Sequence, residues 1–162
     1  MKITTWNVNS VNARIEHLIK FIKKDQSDIY MIQELKCTNE TFPIQEIEKL
    51  KYNCYINGQK AWNGVALICK EEFKITNKSI PNYKDENSRF IETEISLKSI
   101  KKKIKLINIY LPNGNPIETE KFEYKIEWMN KFNSYIKTLI EKNIPVIIGG
   151  DFNVIPNDED VY

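Results

Sequence analysis

Apolar positions change their spacing twice within the first thirty-four residues, and each change marks an element. "KITTWNV" (residues 2–8) alternates in the manner of a strand, with Ile3 and Trp6 adding β-propensity. In "NSVNARIEHLIKFIKK" the spacing lengthens, so that Val11, Ile15, Leu18, Ile19 and Ile22 share one helical face behind an Asn9 or Ser10 cap. "DIYMIQE" (28–34) is nearly continuous apolar sequence ending in an acid, the pattern of a buried strand. If the two strands of this β-α-β opening are parallel, Asn7 and Glu34 reach the same, C-terminal edge of a sheet.

The later pattern predicts a short helix over 43–51 and strands at 52–57, 64–70, 90–97 and 104–110. The lysine-rich "KSIKKKIK" (98–105) reads as a hairpin turn whose charges protect a sheet edge. "NGNPIETE" (113–120) reads as a loop. From Lys121 a long amphipathic helix is predicted to turn Phe122, Ile126, Met129, Ile136, Leu139 and Ile140 inward and to end near Asn143, before Pro145. Val146-Ile147-Ile148 then feeds "GGDFNVIPNDEDVY", a buried strand whose far end presents polar groups in a tight turn. With no repeat, linker or low-complexity tract, residues 1–162 read as one domain.

Four of these strands end on polar residues: Asn7 and Asn9, Gln33 and Glu34, Tyr110 and Asn113, Asp151 and Asn153. Strand ends are where a rigid sheet holds side chains to catalytic tolerances. One carboxylate can hold a hard cation such as Mg²⁺, and a second can orient or deprotonate water. Amides and a phenol can donate to phosphate oxygens. The set suits metal-assisted phosphodiester hydrolysis.

Composition changes this picture little. A chain that is 41% hydrophobic and 28% charged is ordinary for a soluble globular domain, and a net charge of +2 does not by itself select a nucleic-acid partner. Arg14 and Arg89 are the only arginines. Cys37, Cys54 and Cys69, with one histidine (His17), lack metal-ligand spacing, and their odd number argues against a disulfide framework. They read as reduced thiols of a cytoplasmic protein. Neither a signal peptide nor a membrane-spanning run is expected.

The segments "WNVNSVNAR" (6–14), "IQELK" (32–36), "GQKAWNGVALI" (58–68), "NIYLPNGNPIETEKF" (108–122) and "PVIIGGDFNVIPNDEDVY" (145–162) resemble, in order and along the whole chain, the exonuclease III family of DNA-repair nucleases. That family lies within the endonuclease/exonuclease/phosphatase superfamily. The resemblance implies Glu34 and Asn7 as the metal site, Glu34 supplying the metal-binding carboxylate with Asn7 beside it. Tyr110 and Asn113 are implied as phosphate contacts, Asp151 as the group that positions or activates water, and Asn153 as a donor to the transition-state oxyanion. It further implies Mg²⁺ or Mn²⁺ as cofactor and double-stranded DNA with abasic sites or 3′ ends as partner. The implied activities are AP endonuclease and 3′–5′ exonuclease, carried out by a monomer away from any membrane. Two departures stand out: Asn12 where relatives often carry Arg, and Leu35 where Thr is usual.

Family members continue into a second α/β half with a terminal Ser-Asp-His motif, and His17, on the first helix, is no substitute. The expected fold is therefore α/β: the N-terminal half of a four-layer sandwich, a mixed sheet flanked by helices with the second sheet missing. This makes the domain truncated on its C-terminal side and the 162 residues alone an inactive fragment. Two other readings are a non-catalytic DNA-binding or assembly fragment, and a superfamily phosphodiesterase acting on lipid or inositol phosphates.

Overall fold

The alternating opening becomes β1 (Ile3–Asn7), and the lengthened spacing becomes α1 (Val11–Asp25), started by Ser10, whose hydroxyl accepts from the Ala13 amide. In the computed structural model, which describes residues 1–96 and 103–160, there follow β2 (Ile29–Gln33), α2 (Ile44–Glu48), β3 (Asn53–Asn57) and β4 (Val65–Cys69). Next come β5 (Lys74–Asn77), β6 (Phe90–Ser96), β7 (Lys103–Tyr110), α3 (Glu120–Glu141) and β8 (Val146–Asp151), then a 3₁₀ turn at Asp158–Asp160. Residues 98–102 of the predicted lysine-rich hairpin lie outside the described residues. Among the described residues no helix is long and apolar enough to cross a membrane.

The strands form two four-stranded sheets, ordered β1-β2-β4-β3 and β5-β6-β7-β8. The chain therefore does contain a second sheet, which corrects the expectation that it was missing. The switch between sheets occurs after β4, through β5, a four-residue edge strand with alternate positions exposed and little apolar signal. Without β5, the strands at 90–97 and 104–110 read as continuations of the first sheet. The four-layer α/β/β/α order itself holds. Ile29, Met31 and Leu67 of the first sheet pack with Ile91 and Leu106 of the second in one buried cluster. α1 and α2 cover the outer face of the first sheet through Leu18, Ile22 and Ile47, and α3 covers that of the second.

Each sheet contains one parallel pair: β1 with β2, and β7 with β8. Their registers end level, Asn7 opposite Gln33 and Tyr110 opposite Asp151. A polar bridge joins the sheets just behind these ends. Asn108, fully buried on β7, donates to the carbonyls of Ile32 and Ala66 at 3.0 and 2.8 Å, and accepts from Gln33 Nε2 at 2.7 Å. Buried amides must be paired in this way to avoid a desolvation penalty.

The core face of α3 keeps Leu139, with Met129 and Ile136 packed against the same cluster, but departs from the prediction at Ile126 and Ile140. Trp128, Phe132 and Leu139 are buried, whereas Ile126 and Ile140 are 41% and 63% exposed. The burying stripe is led by aromatics: Trp128 stacks on Phe132 at 5.3 Å and donates its indole N–H to Asp85. Weighting the aliphatics rotated the expected face away from these larger groups, each of which buries more area than an isoleucine. Leu139→Ala is accordingly expected to cost about 2 kcal/mol. Ile140→Lys should stay within about 0.5 kcal/mol of the parent chain. Urea denaturation of the two variants checks the assignment, and a larger loss for Ile140→Lys would reverse it.

Candidate active site

Glu34 leaves β2 with a positive φ of 54°, which turns its carboxylate across the sheet edge toward Asn7. The loops on either side are tied together by backbone bonds: Ser10 N–H to Glu34 O at 2.8 Å, Val11 N–H to Leu35 O at 3.1 Å, and Leu35 N–H to Gly64 O at 3.2 Å. Leu35 is fully buried in the α1-side core, so its departure from Thr is a packing change. Gly64 lies against it: a Cβ there would stand 2.8 Å from the Leu35 Cβ, and its φ of +88° suits glycine. Asn12 donates to the Thr41 carbonyl at 3.2 Å.

Asn7 links the two sheets. Its Nδ2 donates to Glu34 Oε1 and to Asp151 Oδ2, both at 2.8 Å. Its oxygen accepts from the Asn9 amide at 3.0 Å, which fixes the amide nitrogen toward the carboxylates. The Tyr110 hydroxyl donates to Glu34 Oε1 at 2.9 Å. Asp151 Oδ1 accepts from the Asn153 backbone at 2.9 Å, and the Asn153 side chain donates to Leu111 O at 2.7 Å. Asn113 approaches the Asn153 oxygen at 3.5 Å. All six residues singled out from the sequence thus meet at one end of the sandwich.

Several neighbours were given no role by the sequence. Lys36 pairs with Glu34 Oε2 at 2.9 Å and donates to Asn9 Oδ1 at 2.5 Å. Arg89 places its guanidinium 4.9 Å over the Tyr110 ring and donates to the Tyr110 carbonyl at 3.2 Å. Its position follows from sheet register, because Phe90 pairs with Ile109, and no local pattern announces it. His17 is exposed on α1.

Burial pushes the Glu34 carboxyl up, but the hydrogen bonds from Asn7, Lys36 and Tyr110 outweigh it and hold the group below its ordinary range. Burial, reinforced by the hydrogen bond to Glu34, pushes the Tyr110 phenol up to about 12. Glu34 is therefore an anion and Tyr110 a neutral donor at neutral pH. Among the described residues no three His, Cys, Asp or Glu side chains gather as a metal cage. Two carboxylates aligned by one amide, at an open cleft, fit instead a hard cation that keeps most of its water.

Two clefts flank the site on either side of Asn113. One, of about 650 Å³, is lined by Glu34, Trp62, Arg89, Tyr110 and Lys121. The other, of about 480 Å³, is lined by Asn7, Asp151, Phe152 and Asn153.

Comparison with known proteins places the sequence and the fold in a known group. The exodeoxyribonuclease III of Haemophilus influenzae is 34% identical over 167 residues, a match that takes in 99% of this chain and 60% of that protein. A 3′ phosphatase from Neisseria bound to a product DNA hairpin superposes with a TM-score of 0.88 at 30% identity, over 98% of this chain and 60% of that one. An AP endonuclease from Archaeoglobus fulgidus gives a TM-score of 0.87 at 30% identity, over 100% of this chain and 61% of its own. The chain spans about 60% of the length of these relatives. The sequence profile of the Endonuclease/Exonuclease/phosphatase family matches residues 4–162, and the chain belongs to that family.

Proposed function

We propose that these residues form part of the catalytic centre of a metal-dependent DNA-repair phosphodiesterase of the exonuclease III type. Its substrates are abasic sites and 3′ ends in double-stranded DNA. The observation that carries the reading is the Asn7 amide shared by Glu34 and Asp151, two carboxylates that come from different sheets. The DNA substrate is supported by the relatives, which are an exodeoxyribonuclease, an AP endonuclease and a phosphatase bound to a DNA hairpin.

Glu34 is the group that holds Mg²⁺ or Mn²⁺, with Asn7 beside it aligning the carboxylate. The ion, when bound, neutralises phosphate charge and makes its bound water more acidic. Asp151, held through both oxygens by Asn7 and Asn153, orients the attacking water and accepts its proton. Tyr110, kept a neutral phenol by burial, turns its single O–H from Glu34 to a phosphate oxygen, Asn113 donates beside it, and Asn153 donates its second amide N–H to the oxyanion as charge develops. The three free thiols, Cys37, Cys54 and Cys69, agree with a reducing, cytoplasmic setting.

Duplex DNA with a single abasic site tests the reading, incubated with the nuclease that carries these residues. Incision beside the site that requires Mg²⁺ and stops with EDTA is expected. A preference for lipid or inositol phosphates over abasic DNA, or incision indifferent to EDTA, would sink it.

A further inference from the structure

Lys125, half-buried in the second turn of α3, sits behind the two asparagines on which phosphate recognition would rest. Its ammonium donates to the backbone carbonyl of Asn113 at 3.1 Å and to that of Asn153 at 2.7 Å. Those carbonyls belong to different loops, one leaving β7 and the other leaving β8. Among the described residues no carboxylate pairs with Lys125, so its charge is directed to these two carbonyl dipoles.

The backbone is built to admit this lysine. A Cβ added at Gly114 would stand 2.4 Å from the Lys125 Cδ, and the φ of Gly114 is +75°. A side chain at residue 114 would therefore push the lysine stem away from the loop. Three residues farther along α3, Trp128 is fully buried, which ties the lysine to the rigid part of the helix. The two loops are also in register at their front, where Asn113 Nδ2 approaches Asn153 Oδ1 at 3.5 Å.

We propose that Lys125 is a positioning residue that locks the loops after β7 and β8 together, so that the Asn113 and Asn153 amides act as one receptor for phosphodiester oxygens. This rests on the phosphodiesterase reading above. Lys125 itself acts from behind the pair, through their carbonyls, and touches neither the reacting phosphate nor the carboxylates. A ligand that both amides grip needs them at a fixed separation, and two mobile loops would lose that separation without a common tether.

The test uses the full chain with inorganic phosphate as probe, followed through the side-chain amide resonances of Asn113 and Asn153. In the unaltered chain both signals are expected to shift with one dissociation constant. Lys125→Met, which keeps the stem and removes the ammonium, should weaken phosphate binding about tenfold and leave the two signals without a common constant. Lys125→Arg should return the affinity to within about threefold of the parent. Gly114→Ala, which keeps the charge but displaces the stem, should resemble Lys125→Met.

Salt separates the clamp from simple attraction, because the screening length falls from about 10 Å at 0.1 M to about 3 Å at 1 M. A deficit in Lys125→Met that persists at 1 M NaCl supports the clamp. A deficit that vanishes there, or Gly114→Ala binding like the parent chain, overturns it. If neither amide of the unaltered chain responds to phosphate, the phosphodiesterase reading of the pair falls, and the proposed receptor with it.

Discussion

On the proposed reading, Asp151→Asn in the nuclease that carries these residues is expected to lower the turnover of abasic-site incision by about 10²- to 10⁴-fold, the range typical of a lost acid/base group. Affinity for the DNA should stay within a few-fold. The substitution is nearly isosteric, so β8 and the Asn153 turn should keep their places. What changes is the sign of the hydrogen bonding. Asp151 accepts on both oxygens, from Asn7 Nδ2 on one and from the Asn153 backbone on the other. An asparagine can accept on only one atom, so whichever way its amide turns, a donor faces a donor. It also has no basic oxygen to take a proton from water at neutral pH. Because Asn7 is shared with Glu34, part of the loss will come from disorder of that carboxylate. Single-turnover kinetics and fluorescence anisotropy with the same abasic duplex separate the two effects. An unchanged single-turnover rate would remove Asp151 from the chemistry.

Much of this site was legible because it is assembled from two chain-local units. β1-α1-β2 and β7-α3-β8 are each a strand, a helix and a parallel strand, and such units bring two strand ends to one edge whatever surrounds them. Asn7 with Glu34 could therefore be paired from hydrophobic spacing, while the pairing of Tyr110 with Asp151 is seen in the register of β7 and β8. The meeting of the two pairs could not be derived in that way. It depends on the sheet switch at β5, whose residues Lys74–Asn77 carry little apolar signal, and on the buried Asn108 bridge to Ile32, Ala66 and Gln33. An asparagine in the middle of an apolar strand gives no sign of which carbonyls it will meet. Lys36 stood in the IQELK motif two residues from Glu34 with no role assigned to it, whereas Arg89 and Lys125 were silent, since their partners are set by tertiary packing across 21 and 28 residues. The resemblance to a nuclease family reached the six site residues by motif. It did not reach the side chains that hold them.

Away from the site, Lys105→Met is expected to destabilise the chain by about 3 kcal/mol at pH 7, at the low end for removing one partner of a buried ion pair. Glu92 is 0% exposed on β6, and Lys105, on the adjacent strand β7, reaches its Oε1 at 2.8 Å. Thr76 and Asn77 also donate to Oε1, at 2.5 and 2.8 Å, and Tyr135 of α3 donates to Oε2. Those three donors soften the loss, and this sets the low-end figure. Burial alone would raise the Glu92 carboxyl, but the hydrogen bonds from Lys105, Thr76, Tyr135 and Asn77 together hold it below its ordinary range. A carboxylate lowered on folding stabilises the chain above its unfolded value, about 4.3, and that stabilisation is lost as pH falls through the folded value. Without Lys105 the largest of the lowering hydrogen bonds is lost, so the folded value moves upward and the stabilisation present above it shrinks. The stability gap between parent and Lys105→Met should consequently be widest near neutrality and close as pH falls toward 4. Urea denaturation at pH 4, 5.5 and 7 measures it. Glu92→Gln in the Lys105→Met background should recover much of the loss at pH 7, because the orphaned charge is then gone. A gap independent of pH, or no recovery in the double variant, would mean that Lys105 acts through the packing of its stem and not through its charge.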